Sequence, residues 1–134
     1  MQTHIHHIAI VVRDLDAALA FYRDALGLEM TARREVPEEG VEIAFLPAGE
    51  GEIELLRPTD PESGVARFLE KRGEGLHHVC LAVPDVAVAT ARLREAGAQL
   101  LSEEPRVNAA GVRYVFVHPK SAYGVLLELY ETGK

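Results

Sequence analysis

The sequence of 134 residues has no tryptophan, a single cysteine and fewer basic than acidic residues. One cysteine, Cys80, cannot form a disulfide within the chain, which fits a reducing compartment. The 14 Lys and Arg residues against 21 Asp and Glu give a net charge of −7, and this argues against a nucleic-acid partner, which requires a basic face. No signal segment precedes the first apolar run, and no run approaches the length that crosses a membrane. We therefore expect a soluble, cytoplasmic protein with no membrane partner.

The composition and length indicate one globular domain over residues 1–134. Hydrophobic residues make up 48% of the chain and charged residues 26%, a balance that can form a buried core. An anionic small ligand is still compatible with the net negative charge, because a few local Arg or Lys residues suffice to bind it.

The sequence contains two copies of one pattern. The segment "HIAIVVRDLDAALAFYRDALGL" begins at His7 and "HVCLAVPDVAVATARLREAGAQL" begins at His78. In each copy the histidine is followed by five apolar residues and, shortly afterwards, by an aspartate, Asp14 or Asp85, so that both residue types recur at an offset of 71. Such self-similarity predicts two copies of one structural module.

Each aspartate precedes apolar residues at helical spacing. The carboxylates of Asp14 and Asp85 are suited to bind the free amides of a first helical turn, and Gly27 and Gly97 are suited to end the two helices. In the first copy the apolar stripe is predicted to extend to Leu26.

Three strand-like segments follow each predicted helix, separated by turns rich in Gly and small polar residues. They are "LEMTARREV", "VEIAFLPAG" and "EIELLRP" in the first half and "QLLSEEPRV", "VRYVFVHPK" and "GVLLELYE" in the second. The fold class is thus predicted as α+β: two tandem βαβββ modules that form a curved mixed sheet around a cavity. The first module covers residues 4–59 approximately and the second 76–131, with a linker helix over about 60–75.

The parity of the first strand of each module indicates which histidine faces the cavity. Side chains alternate between the faces of a strand, so the second histidine of each "HH", His7 or His78, shares its face with small residues. A face with smaller side chains is typical of a concave side. The first histidine of each pair, His6 or His77, has the opposite parity and is the weaker candidate.

The last strand of each module carries a carboxylate among apolar residues. Glu54 and Glu128 are 74 positions apart, close to the offset of the histidines. A carboxylate in such a place is costly unless it is paired, protonated or bound to a cation. Together with His7 and His78 they form a candidate four-ligand site for a divalent ion such as Co, Ni, Mn or Zn. The alternatives are ordinary core or surface histidines, a solvated Glu54 beside Glu52, and an arginine partner for Glu128.

Paired βαβββ modules with His, Glu, His and Glu at these places resemble the vicinal oxygen chelate superfamily. Within it, the chain most resembles the methylmalonyl-CoA epimerase family, and the likeness extends over essentially all of the sequence. The most specific segments are "IELLRP", "SGVARFLEKRGEGLHHVCLAV" and "LSEEPRVNAAGVRYVFVHPKSAYGVLLEL". The resemblance implies a metal-binding cavity, an acyl-CoA substrate and a homodimer.

The resemblance also implies roles for particular residues. The family's metal ligands match His7, Glu54, His78 and Glu128. Its acid/base pair matches Glu128 and, after a one-residue gap behind Gly40, Glu42. Glu42 shares the less bulky parity of its strand with Ala44 and is expected to face the cavity; the alternative is a solvated strand residue near Glu38 and Glu39. The implied reaction is the interconversion of (R)- and (S)-methylmalonyl-CoA: a proton is removed from C2 and returned on the other face, through an enolate that a divalent ion stabilises.

Two other functions are compatible with the same fold. A lactoylglutathione lyase uses a similar metal site, and such enzymes have Glu at the place of Glu54, where some epimerases have Gln. A non-catalytic small-molecule-binding protein would need no metal ligands. For the CoA tail, Lys120 and Ser121 are candidates by position, whereas His118 is expected to be structural.

Overall fold

The computed structural model describes residues 3–132, which divide into two compact units. The first unit is His7–His77, and the second consists of residues 78–132 together with 3–6. The strands are β1 (His4–Val11), β2 (Ala32–Val36), β3 (Val41–Ala48), β4 (Gly51–Pro58), β5 (Gly75–Val83), β6 (Arg106–Val107), β7 (Arg113–Val117) and β8 (Leu127–Glu131). The helices are α1 (Leu15–Leu19), which continues as a π-helix (Ala20–Ala25), α2 (Gly64–Arg72) and α3 (Val86–Glu95).

In the first unit the strands lie in the order β2-β3-β4-β1. The β1 strand is parallel to β4, and the other neighbours are antiparallel. Apolar side chains cover both faces of this sheet. One face packs against α1 through Val12, Leu15, Leu19, Ala44, Leu46 and Leu55. The other face packs against α2 and consists of Ala9, Val11, Val41, Ile43 and Leu56, with Val65, Phe68 and Leu69 of the helix against them.

The second unit has the corresponding order, β5-β8-β7-β6, with β5 parallel to β8. Its core lies between the sheet and α3 and is formed by Val83, Val86, Val115 and Leu129. Both units therefore have the predicted βαβββ order and the predicted mixed strand directions. No helix within residues 3–132 combines the length and the apolar character needed to cross a membrane.

The predicted helix caps of both modules are confirmed. The Asp14 carboxylate accepts a hydrogen bond from the Ala17 amide at 3.1 Å, and Asp85 accepts one from Val88 at 3.2 Å. After α3 the chain turns at Gly97, whose φ of 87° is left-handed and therefore favours glycine.

The first helix differs from the prediction because it widens into a π-helix. The amide of Leu26 bonds to the carbonyl of Phe21, five residues back rather than four. A wider turn shifts later residues around the helix axis, so that the stripe of Leu15 and Leu19 does not continue to Leu26, which is 55% exposed.

The predicted strand over 99–107 is interrupted: Leu100 forms an isolated antiparallel bridge with Val117, and only Arg106 and Val107 form a strand, β6. The Arg94 guanidinium accounts for part of this difference, because it donates to the carbonyls of Ser102 and Glu103, which would otherwise be available to a neighbouring strand. The Ser102 hydroxyl also donates to the Glu104 carbonyl at 2.7 Å, which makes a local turn before Pro105.

The predicted linker contains α2, which belongs to the core of the first unit. The helix begins behind Ser63, whose hydroxyl accepts a hydrogen bond from the Ala66 amide at 3.0 Å. Its apolar side chains lie on the face of the sheet opposite α1. This face also carries the predicted metal ligands of the first unit, His7 and Glu54.

Candidate functional site

His7 and Glu54 meet on neighbouring parallel strands of the first unit. Ala9 of β1 is the register partner of Glu54 of β4, so His7, which has the parity of Ala9, shares its face with Glu54. The His7 Nδ1 atom lies 3.3 Å from the Glu54 Oε2 atom, and both residues are buried. The expected cavity-facing parity of His7 therefore agrees with the position of its predicted co-ligand.

His78 and Glu128 repeat this arrangement in the second unit. Cys80 of β5 is the register partner of Glu128 of β8, so the glutamate again lies beside the residue two positions after the histidine. The His78 Nε2 atom is 3.1 Å from Glu128 Oε1, and both residues are 8% exposed. Each unit therefore buries one imidazole–carboxylate pair, with the same strand relationship.

The donor atoms of each pair are suited to a divalent transition metal. Imidazole nitrogen and carboxylate oxygen bind Zn²⁺ and similar ions at about 2.1 Å. Two such donors at right angles around one ion are about 3.0 Å apart, close to the distances of 3.3 and 3.1 Å between the two donor atoms of each pair. Each pair can thus supply two neighbouring ligands.

The first histidine of each "HH" lies against an aromatic ring. The ring of His6 is 4.6 Å from that of Tyr130, and the ring of His77 is 4.9 Å from that of Phe68 in an edge-on arrangement. The weaker ranking of His6 and His77 as ligand candidates stays a prediction.

Two phenylalanines, which the parity of single strands does not identify, lie next to the glutamates. Phe45 is the cross-strand partner of Glu54, and Phe116 is the partner of Glu128. The ring of Phe116 also packs edge-on against His78, with the ring centroids 5.4 Å apart. The repeat could have identified them, because Phe45 and Phe116 are 71 positions apart, the same offset as between His7 and His78.

The expected placement of Glu42 on the same face as the metal ligands is wrong. The register of β3 with β4 pairs Glu42 with Arg57 and Ala44 with Leu55, whereas Glu54 pairs with Phe45. Because Ala44 and Leu55 pack against α1, Glu42 lies on the α1 side of the sheet and Glu54 on the other. Small size at Ala44 reflects the close approach of the helix rather than a cavity.

The Glu42 carboxylate is held by two arginines. Arg33 Nε lies 2.9 Å from Glu42 Oε2, and Arg57 Nη2 lies 3.0 Å from Oε1. Arg33 also contacts Asp16 in the first turn of α1, at 2.7 Å. Mainly through its hydrogen bond with Arg33, and also through Arg57, the environment lowers the pKa of Glu42 below its ordinary value. A carboxylate so arranged fixes a helix to a sheet and is a weak base.

The second unit contains the same cross-strand pair with its charges exchanged. Arg113 of β7 faces Glu131 of β8, with Nη2 and Oε1 2.8 Å apart, at the positions that Glu42 and Arg57 occupy in the first unit. Glu131 also accepts a hydrogen bond from the Val86 amide at the start of α3, and this bond is the largest of the effects that lower its pKa. The recurrence indicates that this pair connects sheet and helix in both units.

Ser121, one of the two candidates for the CoA tail, and His118 both have local structural roles. The Ser121 hydroxyl accepts a hydrogen bond from the Gln99 amide at 2.8 Å, and His118 Nδ1 accepts one from the Lys120 amide at 3.0 Å. This agrees with the structural role expected for His118. The side chain of Lys120 is exposed.

The fold agrees with comparisons to known proteins. Residues 6–116 match the model of the glyoxalase/bleomycin resistance protein/dioxygenase superfamily, and the chain belongs to this superfamily. It is 45% identical over 127 residues to the ethylmalonyl-CoA/methylmalonyl-CoA epimerase of Cereibacter sphaeroides, covering 93% of this chain and 95% of that protein. Within the superfamily, the chain belongs to the methylmalonyl-CoA epimerase family.

Solved structures of this family have the same fold. The crystal structure of methylmalonyl-CoA epimerase from Mycobacterium tuberculosis is 37% identical, with a TM-score of 0.86, covering 97% of this chain and 88% of that one. A methylmalonyl-CoA epimerase in complex with methylmalonyl-CoA and NH4+ is 38% identical, also with a TM-score of 0.86, and covers 98% and 95% of the two chains.

Proposed function

We propose that this protein interconverts the two epimers of methylmalonyl-CoA at C2 and requires a divalent metal ion. The observation that carries the proposal is the buried His–Glu pair that recurs in both units of a chain of the methylmalonyl-CoA epimerase family. The solved complex of a relative with methylmalonyl-CoA supports an acyl-CoA substrate.

We propose that the ligands of the ion are His7, Glu54, His78 and Glu128. The donor types support Co, Mn, Ni or Zn. Burial of both carboxylates also supports this assignment, because a bound cation offsets the cost of removing a carboxylate from water. A divalent ion held by these residues would supply positive charge to stabilise the negative charge that develops on the thioester oxygen when C2 loses its proton.

Glu128 is the residue to which we assign proton transfer. Its Oε1 atom is oriented by His78, and its ring neighbour Phe116 shields one side of the pair from water. The Glu128 carboxylate would take the proton from C2 and become neutral. A water molecule would then deliver a proton to the opposite face of C2 to give the other epimer, and the hydroxide so formed would take the proton from Glu128. Both steps leave the oxidation state of the substrate unchanged, so no organic cofactor is required.

The second acid/base role is not assigned to Glu42. Its carboxylate lies on the α1 side of the sheet and neutralises Arg33 and Arg57. We propose that Glu42 has the structural role that the exchanged pair, Arg113 and Glu131, has in the second unit. The variant Glu42→Gln tests this assignment.

We further propose a cytoplasmic homodimer. Membership of the epimerase family supports the dimer, and a single buried cysteine, Cys80, is compatible with a reducing compartment. Light scattering coupled to gel filtration gives the mass of the particle, and a monomer would contradict the dimer.

The decisive experiment is an assay of the purified protein with methylmalonyl-CoA in D2O. After treatment with a chelator, Co²⁺, Mn²⁺, Ni²⁺ or Zn²⁺ is added, and exchange of the C2 proton and interconversion of the epimers are followed by NMR. We expect activity that depends on the ion and a turnover rate at least 100-fold lower for Glu128→Gln. That loss is expected because the amide cannot accept the proton.

The same assay distinguishes the two alternatives. Conversion of the methylglyoxal–glutathione hemithioacetal, without epimerisation, would identify a lactoylglutathione lyase. Binding of the CoA thioester without conversion under any of the four ions would identify a non-catalytic binding protein, and elemental analysis would then be expected to find no bound metal.

A further inference from the structure

Tyr123 adopts a costly backbone conformation in the turn between β7 and β8. Its φ is 59°, and among the described residues it is the one non-glycine residue with a positive φ. Its side chain is 98% exposed, so the aromatic ring contributes almost nothing to the core. Left-handed backbone is unfavourable for a residue with a Cβ atom, and a bulky residue there is unusual.

The turn around Tyr123 is well defined. The Gly124 amide bonds to the Pro119 carbonyl at 2.8 Å, and the Ser121 amide bonds to the His118 carbonyl at 2.9 Å. The Ser121 hydroxyl, which accepts from Gln99, connects the turn to the segment behind α3. Tyr123 is therefore held in place by main-chain bonds rather than by contacts of its own ring.

A turn with the same hydrogen bond, from an amide to the carbonyl five residues earlier, occurs elsewhere in the second unit and shows which residue this geometry normally requires. At the end of α3 the Ala98 amide bonds to the Leu93 carbonyl at 2.9 Å, the same spacing as from Gly124 to Pro119, and the left-handed residue is Gly97. A glycine satisfies this geometry without strain. Tyrosine at the equivalent place is thus unexplained by folding, and strain of this kind is typical of a binding site.

The charge around the turn is locally basic in an acidic protein. From Pro105 to Leu127 the sequence has no Asp or Glu and contains Arg106, Arg113 and Lys120, although the chain has a net charge of −7. Arg113 is engaged with Glu131, whereas Lys120 is exposed in the same turn as Tyr123. This segment is complementary to a ligand that carries several phosphate charges.

We propose that Tyr123 and Lys120 form the subsite for the adenosine 3′-phosphate end of the acyl-CoA, with the tyrosine ring stacked on the adenine and the ammonium group near a phosphate. The inference rests on the proposed function. Glu128 follows Tyr123 by five positions, so an extended chain places them at most about 17 Å apart, a span that the extended pantetheine arm of CoA bridges. Stacking of a base on an aromatic ring and attraction of phosphate by Lys are ordinary modes of nucleotide recognition.

The test compares full-length and truncated substrates in Tyr123→Gly and Tyr123→Phe. The truncated substrate is methylmalonyl-N-acetylcysteamine, which has the thioester but lacks the adenosine and its phosphates. We expect Tyr123→Gly to raise the KM for methylmalonyl-CoA about tenfold more than the KM for the truncated thioester. Tyr123→Phe, which keeps the ring, is expected to stay within about twofold of the wild type. Val88→Ala, a truncation of another exposed apolar side chain of the second unit, is the matched control.

Two further measurements separate binding from folding. Tyr123→Gly removes backbone strain and is expected to raise Tm by about 3–4 °C, so a weaker binding cannot be attributed to a damaged fold. Titration calorimetry with adenosine 3′,5′-bisphosphate is expected to show binding to the wild type, weaker binding to Lys120→Met and the weakest binding to Tyr123→Gly.

Several outcomes would overturn the subsite. In Tyr123→Gly, equal changes in KM for the full-length and the truncated substrate would do so, as would no change for either. A change of oligomeric state in this variant would identify the tyrosine ring as a protein contact. An inactive wild-type protein that still binds adenosine 3′,5′-bisphosphate through Tyr123 would contradict the proposed function and leave the subsite standing.

Discussion

Replacing Glu42 by glutamine is expected to destabilise the fold while leaving the chemistry intact. The substitution keeps the size of the side chain and one acceptor oxygen, but it removes the charge between Arg33 and Arg57. The Glu42 side chain is 17% exposed, and those of Arg33 and Arg57 are 32% and 37% exposed, so solvent screens the pairs in part. We therefore expect a loss of about 1–2 kcal/mol, between the values typical of exposed ion pairs and of buried charged hydrogen bonds.

This loss is large enough to measure by thermal unfolding. At about 2.1 cal/mol/K per residue, a chain of this length has an unfolding entropy of about 0.28 kcal/mol/K, so Tm is expected to fall by about 4–7 °C at pH 7. Circular dichroism gives the transition. Glu38→Gln, a change at an exposed carboxylate of the same unit, is the control and is expected to shift Tm by less than about 2 °C.

The pH dependence gives a second, independent check. Because the pKa of Glu42 is lower in the folded than in the unfolded protein, its stabilising effect is complete above the ordinary carboxyl value of 4.5. The effect declines as the pH falls through the lowered pKa, where the folded protein also takes up the proton. The Tm difference between wild type and Glu42→Gln is therefore expected to be constant from pH 7 to about 5 and to disappear in stronger acid.

Kinetics decide between the structural and the catalytic role of Glu42. Well below the Tm of the variant, we expect the turnover rate of epimerisation to remain within about threefold of the wild type, because the group lies on the α1 side of the sheet. A turnover rate lowered by about 100-fold or more, with an unchanged Tm, would refute this reasoning and identify Glu42 as the second base.

Three other substitutions test separate parts of the structure. Gly40→Ala should lower the free energy of unfolding by about 2 kcal/mol or more, because its φ is +68° and a Cβ there would lie 2.9 Å from the Cβ of Asp60 and 3.0 Å from that of Ser63. The control Gly49→Ala has a φ of +66° and open space around it, so it should cost only the backbone strain. Equal Tm values for the two variants would contradict the clash at Gly40. Asp85→Ala should cost about 1 kcal/mol by removing the cap of α3, and urea unfolding with an unchanged Cm would contradict this. His78→Ala should weaken binding of Zn²⁺ or Co²⁺ at least tenfold in calorimetry, and an unchanged metal affinity would exclude it as a ligand.

Much of the fold could be predicted because its signals are local. The recurrence at an offset of 71, the aspartate caps and the alternation of the first strands are properties of short segments, and the structure has the predicted βαβββ order in each unit. The sequence also indicated one histidine and one glutamate in each module as candidate ligands. Only these two residue types recur at matching places where an isolated charge would be costly.

The predictions failed where the outcome depends on contacts between distant segments. Leu26 is exposed because the hydrogen bonding of the first helix changes from α to π, and the strand over 99–107 is lost in part because Arg94 of α3 takes its carbonyls. Neither the π-helix nor the interrupted strand can be predicted from the local pattern of apolar residues. The left-handed backbone at Tyr123 was likewise invisible, because glycine is the residue that normally marks such a position.

The sequence by itself determined which residues of one strand share a face, since alternation is a property of the extended chain. The tertiary structure alone decided how the faces of neighbouring strands correspond, because a shift of one residue in register moves a whole set of side chains to the other side. The partner relationships Ala9 with Glu54 and Cys80 with Glu128 unite the predicted ligands within each unit. The register that pairs Glu42 with Arg57 places the Glu42 carboxylate on the α1 side of the sheet. Parity within its own strand could not show this, because it does not say which face of β3 corresponds to the face of Glu54.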